Sequence, residues 1–99
     1  LDFSGNHIDF RSYRATTHDG RELELSHREA MLLQMLSTTP GEVVPRERIL
    51  EQVWGLRGNI HTRTIDNFVM RLRRYFERDP KQPRHLLSVR GVGYRFVAS

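Results

Sequence analysis

Apolar and polar positions alternate along the first 25 residues. Leu1 and Phe3 flank Asp2, Ile8 and Phe10 alternate with His7 and Asp9, Tyr13 and Ala15 follow, and Leu23 and Leu25 alternate with Glu22 and Glu24. A period of two places the apolar side chains on one face of a strand. Ser4-Gly5-Asn6 and the Asp19-Gly20 pair supply turns, the second a strong hairpin signal. The segment predicts a small antiparallel sheet with one apolar face covered.

The period then lengthens to that of a helix. Ser26 and Glu29 form a capping box, in which the hydroxyl accepts from the backbone three residues on and the carboxylate reaches back. The helix that follows buries Ala30, Leu32, Leu33 and Leu36 and stops near Thr38, ahead of Pro40-Gly41. Val43-Val44 suggests a brief strand. Pro45 starts a second helix with Ile49, Leu50, Val53 and Trp54 on one face, and Gly55 ends it. After a loop from Leu56 to Ile60, a third helix is predicted from Thr62 to Arg78, where Asp79-Pro80 closes it. A linker over Lys81–His85 leads to a hairpin over Leu86–Val97, turning at Gly91-Val92-Gly93. The expected architecture is α+β. One domain of 99 residues comprises a sheet over 1–25, a three-helix core with a helix-turn-helix over 26–78 and a hairpin over 86–97.

The third helix has two unlike sides. At about 100° per residue, Ile65, Phe68, Val69, Leu72, Tyr75 and Phe76 fall within an arc of about 120°. Opposite them, Arg63, Asn67, Arg71, Arg74 and Arg78 share an arc of about 80°, with Asp66 and Glu77 on the flank. A solvated face with Arg near the helix C-terminus, where it suits the dipole, accounts for Arg78 and in part for Arg74. It does not account for Arg63 in the first turn, nor for an arc of a single sign.

Composition sharpens this reading. The apolar and charged shares, 37% and 28%, are those of an ordinary globular chain. The net charge is +4, but residues 1–45 carry −3 and residues 46–99 carry +7, which points the second half toward an anionic partner. Lys81 is the one Lys among 16 basic residues. That bias fits phosphate and guanine recognition, and it equally fits a GC-rich genome. With no Cys there is no disulfide, zinc finger or thiol nucleophile. The five His show no metal-ligand spacing, so neither a metal nor a cofactor is expected. No apolar run approaches the roughly 20 residues of a membrane span, and the first residues do not resemble a signal peptide. A cytoplasmic domain without membrane contact is expected.

Arg pairs with guanine O6 and N7, Asn pairs bidentately with adenine, and a helix fits the major groove of B-DNA. Asn67, Arg71, Arg74 and Arg63 are therefore expected to read bases. Thr64, Arg73, Ser88, Arg48, Trp54 and His61 are the candidates for backbone contact, although Trp54 also reads as a core anchor. Arg90 and Gly91 at the hairpin tip would reach a minor groove. The plainer account of that tip is a Gly-rich turn with an incidental Arg. Asp66 reads as structural, with Arg46 as its partner, and Met31, Met35 and Met70 read as packing or edge residues. A winged helix used for protein–protein interaction is the competing reading, but protein interfaces favour aromatic anchors, and this arc has none. Nucleophile-elbow, P-loop and zincin motifs are all missing, so no enzyme is expected. A-form RNA grooves do not admit such a helix.

Four segments in register carry a family resemblance over essentially the whole chain. They are Leu25-Ser26-His27-Arg28-Glu29; Pro40-Gly41-Glu42-Val43-Val44 with Arg46, Leu50, Val53, Trp54 and Gly55; Arg63 to Arg73; and Val89 to Phe96. Together they resemble the winged-helix effector domain of OmpR/PhoB-type response regulators. The resemblance implies sequence-specific DNA binding in transcription control, with a receiver domain in the full-length protein. It implies head-to-tail dimers on direct-repeat half-sites. It also implies contact with RNA polymerase through the loop Leu56, Arg57, Gly58, Asn59 and Ile60. Related domains also occur in membrane-anchored one-component regulators. Ala30, Pro45 and Asn67 depart from the family pattern, which often has Phe, a Ser or Thr cap, and Val at these places. Only the change at Asn67 bears on base preference.

Overall fold

The computed structural model describes residues 1–55 and 62–99. The first sheet has the order β1 (Asp2–Phe3), β2 (Asn6–Asp9), β3 (Arg14–Thr16), β4 (Glu22–Glu24), antiparallel throughout. Its register aligns Ile8 with Ala15 and Ala15 with Leu23, which gathers the apolar positions on one face. Ser4 and Gly5 sit at φ 50° and 83°, the positive angles of a two-residue hairpin turn that follows strand twist. The Asp-Gly pair turns differently. The β3–β4 connection is a wider loop over 17–21, because the Thr17 hydroxyl donates to Asp19 and accepts from the Arg21 backbone N–H. The Thr17 hydroxyl first, and then the Arg21 guanidinium, whose Nε donates to Asp19 Oδ1 at 3.2 Å, hold the Asp19 carboxyl down at about 2.

Helix α1 (His27–Thr38) opens with both halves of the predicted capping box, Ser26 Oγ accepting from the Glu29 N–H at 3.1 Å and Glu29 accepting from the Ser26 N–H at 2.8 Å. A short β5 (Val44–Pro45) precedes α2 (Arg46–Trp54). Pro45 is extended, at φ −65° and ψ 150°, and serves as the N-cap with no side-chain cap bond. Helix α3 is shorter than its sequence pattern predicts, running Thr62–Phe76. The N-terminal sheet ends it: Asn6 Nδ2 donates to the Phe76 carbonyl at 2.9 Å, and Arg21 Nη2 donates to the Tyr75 carbonyl at 3.2 Å. Glu77 and Arg78 thus lie beyond the helix rather than on its flank and its cationic arc. Glu77 is 3% exposed, and its carboxylate accepts the backbone N–H groups of Arg84, His85 and Leu86. Arg78 folds back to donate to the Ser4 carbonyl at 3.0 Å.

The hairpin β6 (Leu86–Val89) and β7 (Gly93–Phe96) joins β5 in a second sheet of order β5-β7-β6. One core unites the layers. Leu32, Leu33 and Leu36 from α1, Ile49 from α2, Ile65, Val69, Leu72 and Phe76 from α3, and Leu86 and Phe96 from the hairpin are fully enclosed. Phe3 seals the N-terminal sheet onto them, edge-on to Phe96 at 4.9 Å and Phe76 at 6.0 Å.

Candidate nucleic-acid interface

Burial of Ile65, Val69, Leu72 and Phe76 fixes the rotation of α3 about its axis, so the opposite side must face outward. Arg63, Asn67, Arg71 and Arg74 are all exposed there, as the sequence pattern predicts. They are not equally free. The Arg71 guanidinium lies over the Phe68 ring, 4.6 Å from its centroid, and 4.0 Å from the Glu29 carboxylate. Glu29 is buried, and it also accepts from the Tyr75 hydroxyl at 3.0 Å. Burial, then that bond to a carboxylate, raises the Tyr75 hydroxyl above its ordinary pKa. The Glu29–Tyr75–Arg71 link between α1 and α3 carried no sequence signal beyond the capping box.

The hairpin is fastened to α3 from two sides. Arg73 Nε donates to the Leu86 carbonyl at 2.9 Å, and its Nη2 donates to Ser88 Oγ at 3.0 Å. Asp66 Oδ1 accepts from the Tyr94 hydroxyl and from Arg46 Nη2, the latter at 3.0 Å. Tyr94 lies between two guanidinium groups, Arg46 at 5.1 Å and Arg73 at 6.0 Å from its ring centroid. Burial works to raise the Asp66 carboxyl, but the Tyr94 hydroxyl and the Arg46 guanidinium together outweigh it and hold the group below the usual carboxylate range. Tyr94 is raised by burial first and by Asp66 second. The Arg46–Asp66 pairing expected from the sequence is present. Arg46 also donates its backbone N–H to the Val92 carbonyl at 3.1 Å, which anchors the turn of the hairpin to the start of α2.

Gly91 turns the tip at φ +77° with open space around it, while Gly93 is needed for close approach: a Cβ there would sit 2.0 Å from the Val44 carbonyl oxygen. Arg90 and Ser88 are exposed on this hairpin. Thr64 is half-buried. Arg48 is exposed and lines a groove with Met31, Met35 and Gln52. Trp54 is buried edge-on against Phe68 at 5.1 Å, with Arg28 over its ring, which is the core-anchor placement. His61 and the loop Leu56, Arg57, Gly58, Asn59 and Ile60 lie outside the described residues. Met70 is 48% exposed, so it is no core residue.

Three short helices, a platform sheet and a hairpin braced against an arginine-faced helix make a winged helix-turn-helix. The family model described as "Transcriptional regulatory protein, C terminal" matches residues 20–96. The chain belongs to that family. Among its relatives, the DNA-binding response regulator MtrA of Mycolicibacterium smegmatis is 41% identical over 88 residues, which is 89% of this chain and 38% of MtrA. The response regulator DrrB, an OmpR/PhoB homologue from Thermotoga maritima, superposes with a TM-score of 0.84 at 32% identity, covering 98% of this chain and 43% of that one. The DNA-binding domain of CpxR from E. coli gives 0.79 at 30% identity, covering 100% of this chain and 97% of that domain. The chain thus spans about a third of the length of the curated relatives it matches. Membership of this family of C-terminal domains accounts for the layout: a helix face held outward by its own core, with the hairpin locked beside it. Among the described residues, no helix is long and apolar enough to cross a membrane.

Proposed function

We propose that this chain binds double-stranded DNA sequence-specifically as the output domain of a bacterial transcription regulator. One observation carries the reading: α3 turns a face of Arg63, Asn67, Arg71 and Arg74 outward, with no carboxylate among them. In this mode α3 lies in the major groove and the hairpin tip with Arg90 and Gly91 reaches the adjacent minor groove. Asn67, Arg74 and Arg63 meet bases directly. Arg71 joins them on leaving Phe68 and Glu29. Thr64, Ser88 and Arg73 lie toward the backbone, with Arg48 and His61 as outer candidates, while Trp54 serves as the core anchor. Arg73 has already committed two donors to the hairpin, so its part includes holding the wing.

The relatives' names support a setting as a response regulator; a cytoplasmic location and a receiver domain ahead of this one are part of the same proposal. Head-to-tail pairing on direct repeats, and polymerase contact through residues 56–60, belong to the same proposal. The outward helix face serves equally in a membrane-anchored one-component regulator. The use of this winged helix to bind another protein is disfavoured because the Arg63, Asn67, Arg71 and Arg74 arc offers no aromatic anchor.

The test is a salt titration with duplex DNA followed by fluorescence anisotropy. About four to six phosphate contacts give a slope of about −4 to −5 for log K against log salt. A slope near zero refutes the reading.

A further inference from the structure

Among the described residues, two large hydrophobic side chains are exposed, Met70 at 48% and Val92 at 46%. Neither sits at random. Val92 is in the tip of the hairpin, and Met70 is on α3, three residues after Asn67 and four before Arg74. Positions three and four apart share a helix face, so Met70 stands between the Asn and the Arg assigned to the groove along the helix axis, at the edge of their arc. Its thioether and methyl groups offer no hydrogen-bond donor, so it cannot hold a phosphate. An unbranched side chain of three rotatable bonds can fit a small apolar target.

The major groove offers one such target on its floor, the C5-methyl of thymine. We propose that Met70 is a specificity-determining residue that selects thymine at one position by packing on its C5-methyl group. The proposal rests on the DNA-binding reading above and goes beyond it, because it assigns one base identity to a residue that makes no polar contact. Asn67 and Arg74 on either side would set the register, and Met70 would discriminate thymine from cytosine between them.

The test removes the methyl group and nothing else. The duplex most enriched by the 99-residue chain from a randomised pool is resynthesised with deoxyuridine replacing each thymine in turn, and binding is measured for wild type, Met70→Ala and Met70→Leu. Wild type is expected to lose about four-fold at one thymine under α3, the factor that accompanies one buried methyl. Met70→Ala is expected to bind the thymine duplex several-fold more weakly and to show no further loss with deoxyuridine there. Met70→Leu, still apolar, is expected to retain the sensitivity. Alanine is a good helix former and the side chain is exposed, so folding is not at stake. An unchanged deoxyuridine profile in Met70→Ala, or an enriched duplex with no methyl-sensitive thymine, overturns the assignment while leaving DNA binding intact. Failure to enrich any duplex overturns both.

Discussion

Replacing Asp66 with Asn keeps the shape of the side chain and removes its charge. Asp66 Oδ1 accepts two bonds, from Arg46 at 3.0 Å and from the Tyr94 hydroxyl, and these join α2, α3 and β7. Bonds to a charged group contribute about 1.5–3 kcal/mol and neutral ones about 0.5–1.5, so neutralising the acceptor costs about 1 kcal/mol per bond. The Arg46 and Asp66 side chains are 26% and 41% exposed, and solvent screening roughly halves the total of about 2 kcal/mol. The expected destabilisation at pH 7 is therefore about 1 kcal/mol, or about 4–8 °C in Tm for a domain of this size. The pH dependence has a definite sign. The folded-state pKa of Asp66 lies below its ordinary value, so the contribution is complete above the unfolded pKa of about 4 and is lost as pH falls through the folded value. Urea unfolding of wild type and Asp66→Asn across pH 2–8 measures both. A gap that is constant above about pH 5 and closes in acid is expected. A gap near zero at pH 7, or one that persists undiminished at pH 2, refutes the reasoning.

Arg71→Ala is expected to cost about 1–3 kcal/mol on the best duplex and to relax preference at one base pair, with Asn67→Ala relaxing a neighbouring pair. Selection from randomised duplexes checks this, and a uniformly weaker but unaltered profile would restrict Arg71 to its brace with Glu29 and Phe68. Gly91→Ala is expected to cost about 1 kcal/mol, the strain of a positive φ in open space. Gly93→Ala should cost several times more despite its ordinary φ, because its Cβ would displace β5 from β7. Thermal melts of the two variants side by side decide the matter, and equal losses would contradict the close approach at Val44.

Most of the architecture was legible because local signals and global packing agree. Period-two alternation marked the first sheet, Ser26 and Glu29 marked the start of α1, and the two arcs of α3 gave its outward face. What escaped depends on partners distant in sequence. The Glu77-Arg78 stretch continues the helical pattern. Yet Asn6 and Arg21 take the last carbonyls of α3, and Glu77 is drawn to three backbone N–H groups around His85. Asn6 read as a turn residue, whereas it is 2% exposed and also accepts from the His18 backbone N–H at 2.9 Å. Arg73 read only as a backbone contact because nothing in its own helix shows that β6 supplies two acceptors. Met70 read as a packing or edge residue, and its 48% exposure, about 20° from Arg63 on the helix, makes it the latter.

The bracing of the hairpin against α3 has a mechanical meaning. Arg73 on Leu86 and Ser88, Asp66 on Tyr94, and Arg46 on the Val92 carbonyl leave the helix and the wing tip little freedom to change their separation. In the proposed binding mode the domain is a caliper of fixed span. Its jaws enter neighbouring grooves, and the stretch of duplex between them must supply whatever adjustment the fit requires. Easily bent pyrimidine–purine steps make that adjustment more cheaply than stiff A-tracts. A caliper of this kind would favour some sequences through bases that neither jaw touches.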